Sequence, residues 1–149
     1  FMLVTARDNY YTNTIYVFRG NGGSFETTLI PWDMDMTLGN SWNNVWEGGP
    51  ISLDQTQEVY LPREIETLTR YDSEGTHALL SARWKELRKS VLTDEALRSL
   101  VVDAFSQMEN SGAIAWETAR WPGPPVELDQ SYMLDYFQMR AAFMDQYFS

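Results

Sequence analysis

The chain has no cysteine. That excludes disulfides, thiolate nucleophiles and every zinc site built on sulfur. It has one histidine, His77, which excludes a multi-histidine metal centre. His77 itself reads as a solvated residue at a helix start rather than a catalytic base. No apolar run reaches the roughly 18 residues that a membrane-spanning helix needs. Basic residues are scarce: 11 Lys and Arg stand against 21 Asp and Glu, for a formal net charge of −10. Nucleic acid is held mainly by basic surfaces, so it is not an expected partner. An acidic chain instead suits cations or a basic protein. No signal-peptide pattern is visible. The opening Phe1-Met2-Leu3-Val4 reads as a longer protein entered just inside a core element.

What is present is enough for one domain over residues 1–149. The composition is 44% hydrophobic and 14% aromatic, which supports a sizeable core. Thr14 to Arg19 is β-branched and aromatic and reads as a strand. Asn21-Gly22-Gly23 is a turn signal, and Ser24 to Ile30 reads as the returning strand. Residues 39–57, rich in Gly, Asn, Ser and Trp, have no clear period and read as a long loop. Trp42, Trp46 and the turn at Gly48-Gly49-Pro50 read as cover for the core, with a substrate groove as the other use.

Beyond the loop the period becomes helical. Pro62 suits the first turn of a helix ending near Tyr71. Residues 77–90 place Leu80, Trp84 and Leu87 on one face. Thr93 reads as an N-cap, with Asp94 and Glu95 in the first turn. Residues 94–109 carry Leu97, Leu100, Val101, Ala104, Phe105 and Met108 at helical spacing. A short helix over 111–120 is broken by Trp121-Pro-Gly-Pro-Pro125. A last helix over about 128–148 carries Leu128, Tyr132, Tyr136, Met139, Phe143 and Tyr147. These stripes read as core, and Arg83 and Arg88 as surface partners of nearby carboxylates. The fold class is α+β: a β-hairpin near the N-terminus, then a mainly helical bundle.

Chemistry concentrates between Leu29 and Asn40, in the run Leu-Ile-Pro-Trp-Asp-Met-Asp-Met-Thr-Leu-Gly-Asn. In extended backbone Asp33 and Asp35 share a face, and paired carboxylates raise each other's pKa unless a proton, a base or a metal neutralises them. A calcium loop of the EF-hand type fails, because its glycine and glutamate positions fall on Leu38 and Asn44. Asp33-Met-Asp35-Met-Thr37 is similar to the first motif of haloacid-dehalogenase-like phosphatases. That fold also needs further parallel strands and a later lysine, and the rest of the chain is nearly all helical. The upstream residues add a third pattern. Asp8 precedes Asn13 by five, the spacing at which protein kinases set a catalytic base and a magnesium ligand, and a hairpin then leads to a second metal-binding aspartate.

The ordered set Asp8-x4-Asn13, Thr14-Ile-Tyr-Val-Phe-Arg19, a turn, and Ile30-Pro-Trp-Asp33-Met-Asp35-Met-Thr-Leu-Gly39 resembles the CotH kinase family. These are atypical protein kinases first known from bacterial spore coats. The Arg83-Trp84-x-x-Leu87-Arg88 helix, the Thr93-Asp-Glu-Ala-Leu97 helix start and the closing Arg140–Tyr147 stretch resemble that family's tail. The resemblance implies the C-terminal catalytic lobe of a longer enzyme. It implies Asp8 as the catalytic base, Asn13 and Asp33 as Mg²⁺ or Mn²⁺ ligands, and Asp35 as a further ligand or an acceptor behind the ligands. ATP and a Ser/Thr-bearing protein would be the substrates. An upstream lobe of the same chain would bring the ATP-binding lysine; the resemblance is compatible with a bacterial cell envelope, spore coat or secreted location and fixes none of them. The plain alternatives are a turn and N-cap for Asp8 and Asn13, and a solvated, helix-capping loop for Asp33 and Asp35. A carbohydrate- or protein-binding module and a kinase fold that has lost activity are the non-catalytic readings.

Overall fold

β-branched and aromatic residues favour a pleated ribbon, and glycine closes it where φ must be positive. Both conditions meet in the N-terminal part of the chain. A computed structural model describes residues 2–6, 14–34, 36–39, 61, 63–121 and 130–149. Strand β1 (Thr14–Asn21) pairs antiparallel with β2 (Ser24–Pro31), with Thr14 opposite Pro31 and Asn21 opposite Ser24. Gly22 and Gly23 form the two-residue turn with φ of 55° and 102°. Positive φ at both central positions matches the right-handed twist of the strands. Pro31 stands at the terminal pair, where a missing N–H is best tolerated.

Five helices follow among the described residues: α1 (Arg63–Tyr71), α2 (Ser73–Arg88), α3 (Asp94–Asn110), α4 (Ala113–Arg120) and α5 (Gln130–Tyr147). The fold is therefore α+β, a hairpin and then helices, as the residue pattern implies. Thr93 caps α3, its side chain accepting from the Ala96 N–H at 3.1 Å. None of these helices is long and apolar enough to cross a membrane.

The core lies between α3 and α5. Leu97, Val101 and Phe105, spaced by four, pack on Tyr136, Phe137 and Ala141. A second cluster joins Trp84 of α2 to Met144 and Phe148. Leu3 and Leu92 border both clusters. Each fully buried large apolar side chain contributes about 1.5–3 kcal/mol.

Three expectations are corrected. Helix α2 begins at Ser73 rather than near His77, because Asp72 caps it by accepting from the Gly75 N–H at 3.1 Å. Gly75 is compatible with this start because a Cβ there would collide with the Asp72 carboxylate. His77 accordingly sits in the second turn, half-buried, its ring 5.6 Å from Tyr147 and 5.5 Å from Phe148. On α3, Leu100 and Ala104 are exposed, so the buried stripe is narrower than the apolar one. On α5 the buried face is Tyr136, Phe137, Arg140, Ala141 and Met144, while Met139 and Tyr147 are exposed. Hydropathy assigns an arginine to solvent; hydrogen bonding turns this one inward. Pro62, Trp42, Trp46, Gly48-Gly49-Pro50, Leu128 and all but Gly39 of the 39–57 loop lie outside the described residues.

The two arginines read as surface partners differ. Arg83 meets Glu86 one turn away at 2.6 Å, with 61% of its side chain exposed. Arg88 retains only 18% and ties three elements together, donating to Asp145 of α5, Asp94 of α3 and the Leu92 carbonyl. Burial opposes its charge, but the Asp145 and Asp94 carboxylates outweigh that and hold its pKa above the ordinary value. Replacing Arg88 by alanine is expected to cost about 1–2 kcal/mol in urea unfolding, against less than about 0.5 kcal/mol for Arg83→Ala.

Candidate functional site

Of the four candidate site residues, Asp33 is described, and Asp8, Asn13 and Asp35 lie outside the described residues. Asp33 comes two residues after the last paired position of β2 and is exposed. Its φ is 56°, a left-handed conformation that aspartate tolerates better than most residues. The preceding Trp32 is 62% exposed. The aspartate thus stands on the exposed stretch just past the end of a ribbon. Among the described residues no group of three or more His, Asp or Glu is arranged to hold a metal. An oxygen-only set drawn from Asp33, Asp35 and Asn13 is chemically suited to Mg²⁺ or Mn²⁺. The strand that delivers Asp33 belongs to a two-stranded antiparallel sheet. The phosphatase alternative needs a parallel strand there, so the described sheet speaks against it.

The segments on either side of this region are built with more constraint. Residues 2–5 form a tight turn, and Thr5 and Ala6 are buried. Past Asp35, Met36 is buried, and the Thr37 hydroxyl donates to the Met34 carbonyl at 2.8 Å. The Leu38 N–H then donates to the Val4 carbonyl at 2.8 Å, so the two segments lie side by side. In sequence Asp8 follows one of them by two residues and Asp35 immediately precedes the other.

Helix α5 holds both segments. The Tyr132 hydroxyl donates to the Leu38 carbonyl at 3.0 Å. Tyr136 and Thr5 share a hydroxyl–hydroxyl bond of 2.7 Å. Arg140 donates to the Met2 carbonyl through Nε at 2.9 Å and also through Nη2. Residues 132, 136 and 140 are spaced by four and share one helix face. Burial pushes the Tyr136 phenol above its usual pKa, while the Thr5 hydroxyl and the Arg140 charge pull it the other way.

Among the described residues, the non-glycine positions with positive φ besides Asp33 are Thr5, at 47°, and Leu38, at 56°. Such conformations cost about 1–3 kcal/mol each and persist only where the surroundings over-determine them. Thr5 is β-branched, for which a positive φ is least tolerated. Sequence reasoning marked Tyr132 and Tyr136 as core and Arg140 as part of a family-like tail, but found neither the three-residue row nor Thr5. The available signal was the polar tip shared by three side chains at successive helical turns.

A family model described as CotH kinase protein matches residues 2–144. No curated protein and no solved structure matches the chain.

Removing the Tyr136 hydroxyl is expected to cost about 1–2 kcal/mol, since it leaves a buried Thr5 hydroxyl without that partner. Tyr136 also predicts an alkaline dependence. Its folded pKa lies above the unfolded value of 10.0. Its contribution is therefore complete below about pH 10 and is lost as pH rises through the folded value. Urea midpoints from pH 7 to 11 should fall less steeply above pH 10 in Tyr136→Phe than in the unmodified chain.

Proposed function

The chain belongs to the CotH kinase family, and from that membership we propose that it forms the catalytic lobe of an atypical protein kinase. The reaction is transfer of the ATP γ-phosphate to a serine or threonine hydroxyl of a protein. Asp8 is the base that takes the hydroxyl proton. Asn13 and Asp33 hold Mg²⁺ or Mn²⁺, with Asp35 beside them as a further ligand or as an acceptor behind the ligands. The ion supplies neutralisation of phosphate charge when bound. An upstream lobe supplies the ATP-binding lysine.

The observation that carries this reading is the hydrogen bond from the Leu38 N–H to the Val4 carbonyl. It joins the segment that runs toward Asp8 to the segment that follows Asp35. A base and a metal site used in one reaction must be held at a fixed separation, and phosphoryl transfer depends chiefly on positioning and charge neutralisation. Exposure of Asp33 and an all-oxygen donor set support the metal assignment. The acidic balance of the chain supports a cation and a basic protein segment as partners.

Calorimetric titration of Mn²⁺ tests the assignment. Saturable binding is expected, weakened at least ~10-fold in Asp33→Asn and kept within about twofold in Asp8→Asn. In the longer enzyme, Asp8→Asn is expected to lower transfer of labelled phosphate from ATP by at least ~100-fold while metal affinity holds. Absence of both metal binding and transfer to serine or threonine would overturn the proposal.

A further inference from the structure

Leu38 and Thr5 are the two strained positions on the paired segments, and each is tied on both sides. Leu38 donates its N–H to Val4 and offers its carbonyl to Tyr132. Thr5 bonds Tyr136 through its hydroxyl and follows a turn whose first carbonyl, on Met2, is gripped by Arg140. The bonds close a circuit: residues 2–6 to residues 36–39, residues 36–39 to α5, and α5 back to residues 2–6. A stack of apolar side chains would bury the same surface without fixing any of these angles. Two phenols and a guanidinium, one per turn of a single helix face, do fix them.

We propose that Tyr132, Tyr136 and Arg140 are positioning residues that hold segments 2–6 and 36–39 in one register, and thereby fix the two anchor points between which the stretch with Asp8, Asn13, Asp33 and Asp35 runs. This rests on the reading of Asp33 as a metal ligand in a phosphoryl-transfer site, and it deepens that reading by naming the device that keeps the site at fixed dimensions. Displacements near 1 Å are enough to degrade a reaction that runs on alignment. The helix therefore contributes to rate without touching substrate.

Tyr132→Phe and Tyr136→Phe remove one oxygen each and keep the rings in place. Arg88→Ala, which cuts the ties to Asp94 and Asp145 and touches no member of the row, sets the scale of a purely global loss of stability. Amide hydrogen exchange of Leu38 and Thr5 is expected to rise about five- to tenfold in either phenylalanine variant, with the α3 amides changing less than in Arg88→Ala. Mn²⁺ affinity is expected to fall about five- to tenfold in the same variants and to hold in Arg88→Ala. In the longer enzyme kcat should fall with the KM for ATP unchanged. Exchange that rises uniformly, or a loosened Leu38 with Mn²⁺ affinity and kcat intact, would overturn the proposal. If the unmodified chain binds no Mn²⁺, the metal reading fails alone. The Leu38 and Thr5 amides then decide the coupling: local loosening upholds it and an unchanged rate overturns it.

Discussion

A guanidinium taken wholly out of water costs several kcal/mol unless its donors are satisfied. Arg140 has no exposed surface. It meets that requirement by donating from two nitrogens to the Met2 carbonyl, and its charge lies 5.1 Å from the Phe143 ring. The placement of residues 2–5 on α5 is consistent with that burial. The Met2 carbonyl must reach α5, so the turn over residues 2–5 is pulled onto the helix. Thr5 then arrives opposite Tyr136, and Val4 presents its carbonyl to Leu38. A lysine at position 140 offers a single ammonium and no fork, so it is not an equivalent residue.

The same helix serves two masters. Tyr136 belongs to the α3–α5 core through its ring and to the segment over residues 2–6 through its hydroxyl. Leu3 borders both apolar clusters while its neighbours Met2, Val4 and Thr5 carry the polar ties. Core packing and the tie to Thr5 therefore share one side chain, Tyr136. Arg88 does the equivalent task at the other end of α5, joining it to α2 and α3 through Asp145 and Asp94.

Local chemistry was legible in the sequence. Gly22-Gly23 named the hairpin turn, Thr93 named a cap, and the apolar stripe over residues 94–109 named a buried face, of which Leu97, Val101 and Phe105 are buried and Leu100 and Ala104 are not. The family-like order of Asp8, Asn13 and Asp33 was legible as well. What could not be read was any pairing between distant polar atoms. Thr5 and Tyr136 are 131 residues apart, Met2 and Arg140 are 138, and hydropathy carries no record of which hydroxyl answers which. The positive φ of Thr5 was equally hidden, because a threonine gives no local sign of a left-handed turn that only its partners impose.

Those separations bear on how the molecule is made. Contacts so distant along the chain form late, after their loop-closure entropy has been met. A chain emerging from the ribosome from its N-terminus therefore presents the residues 2–6 and 36–39 long before Tyr132, Tyr136 and Arg140 exist to receive them. Until helix α5 docks, residues 2–6 and 36–39 lack the ties that Tyr132, Tyr136 and Arg140 give them. A nascent polypeptide that has not yet reached residue 132 therefore carries all four candidate residues without those ties.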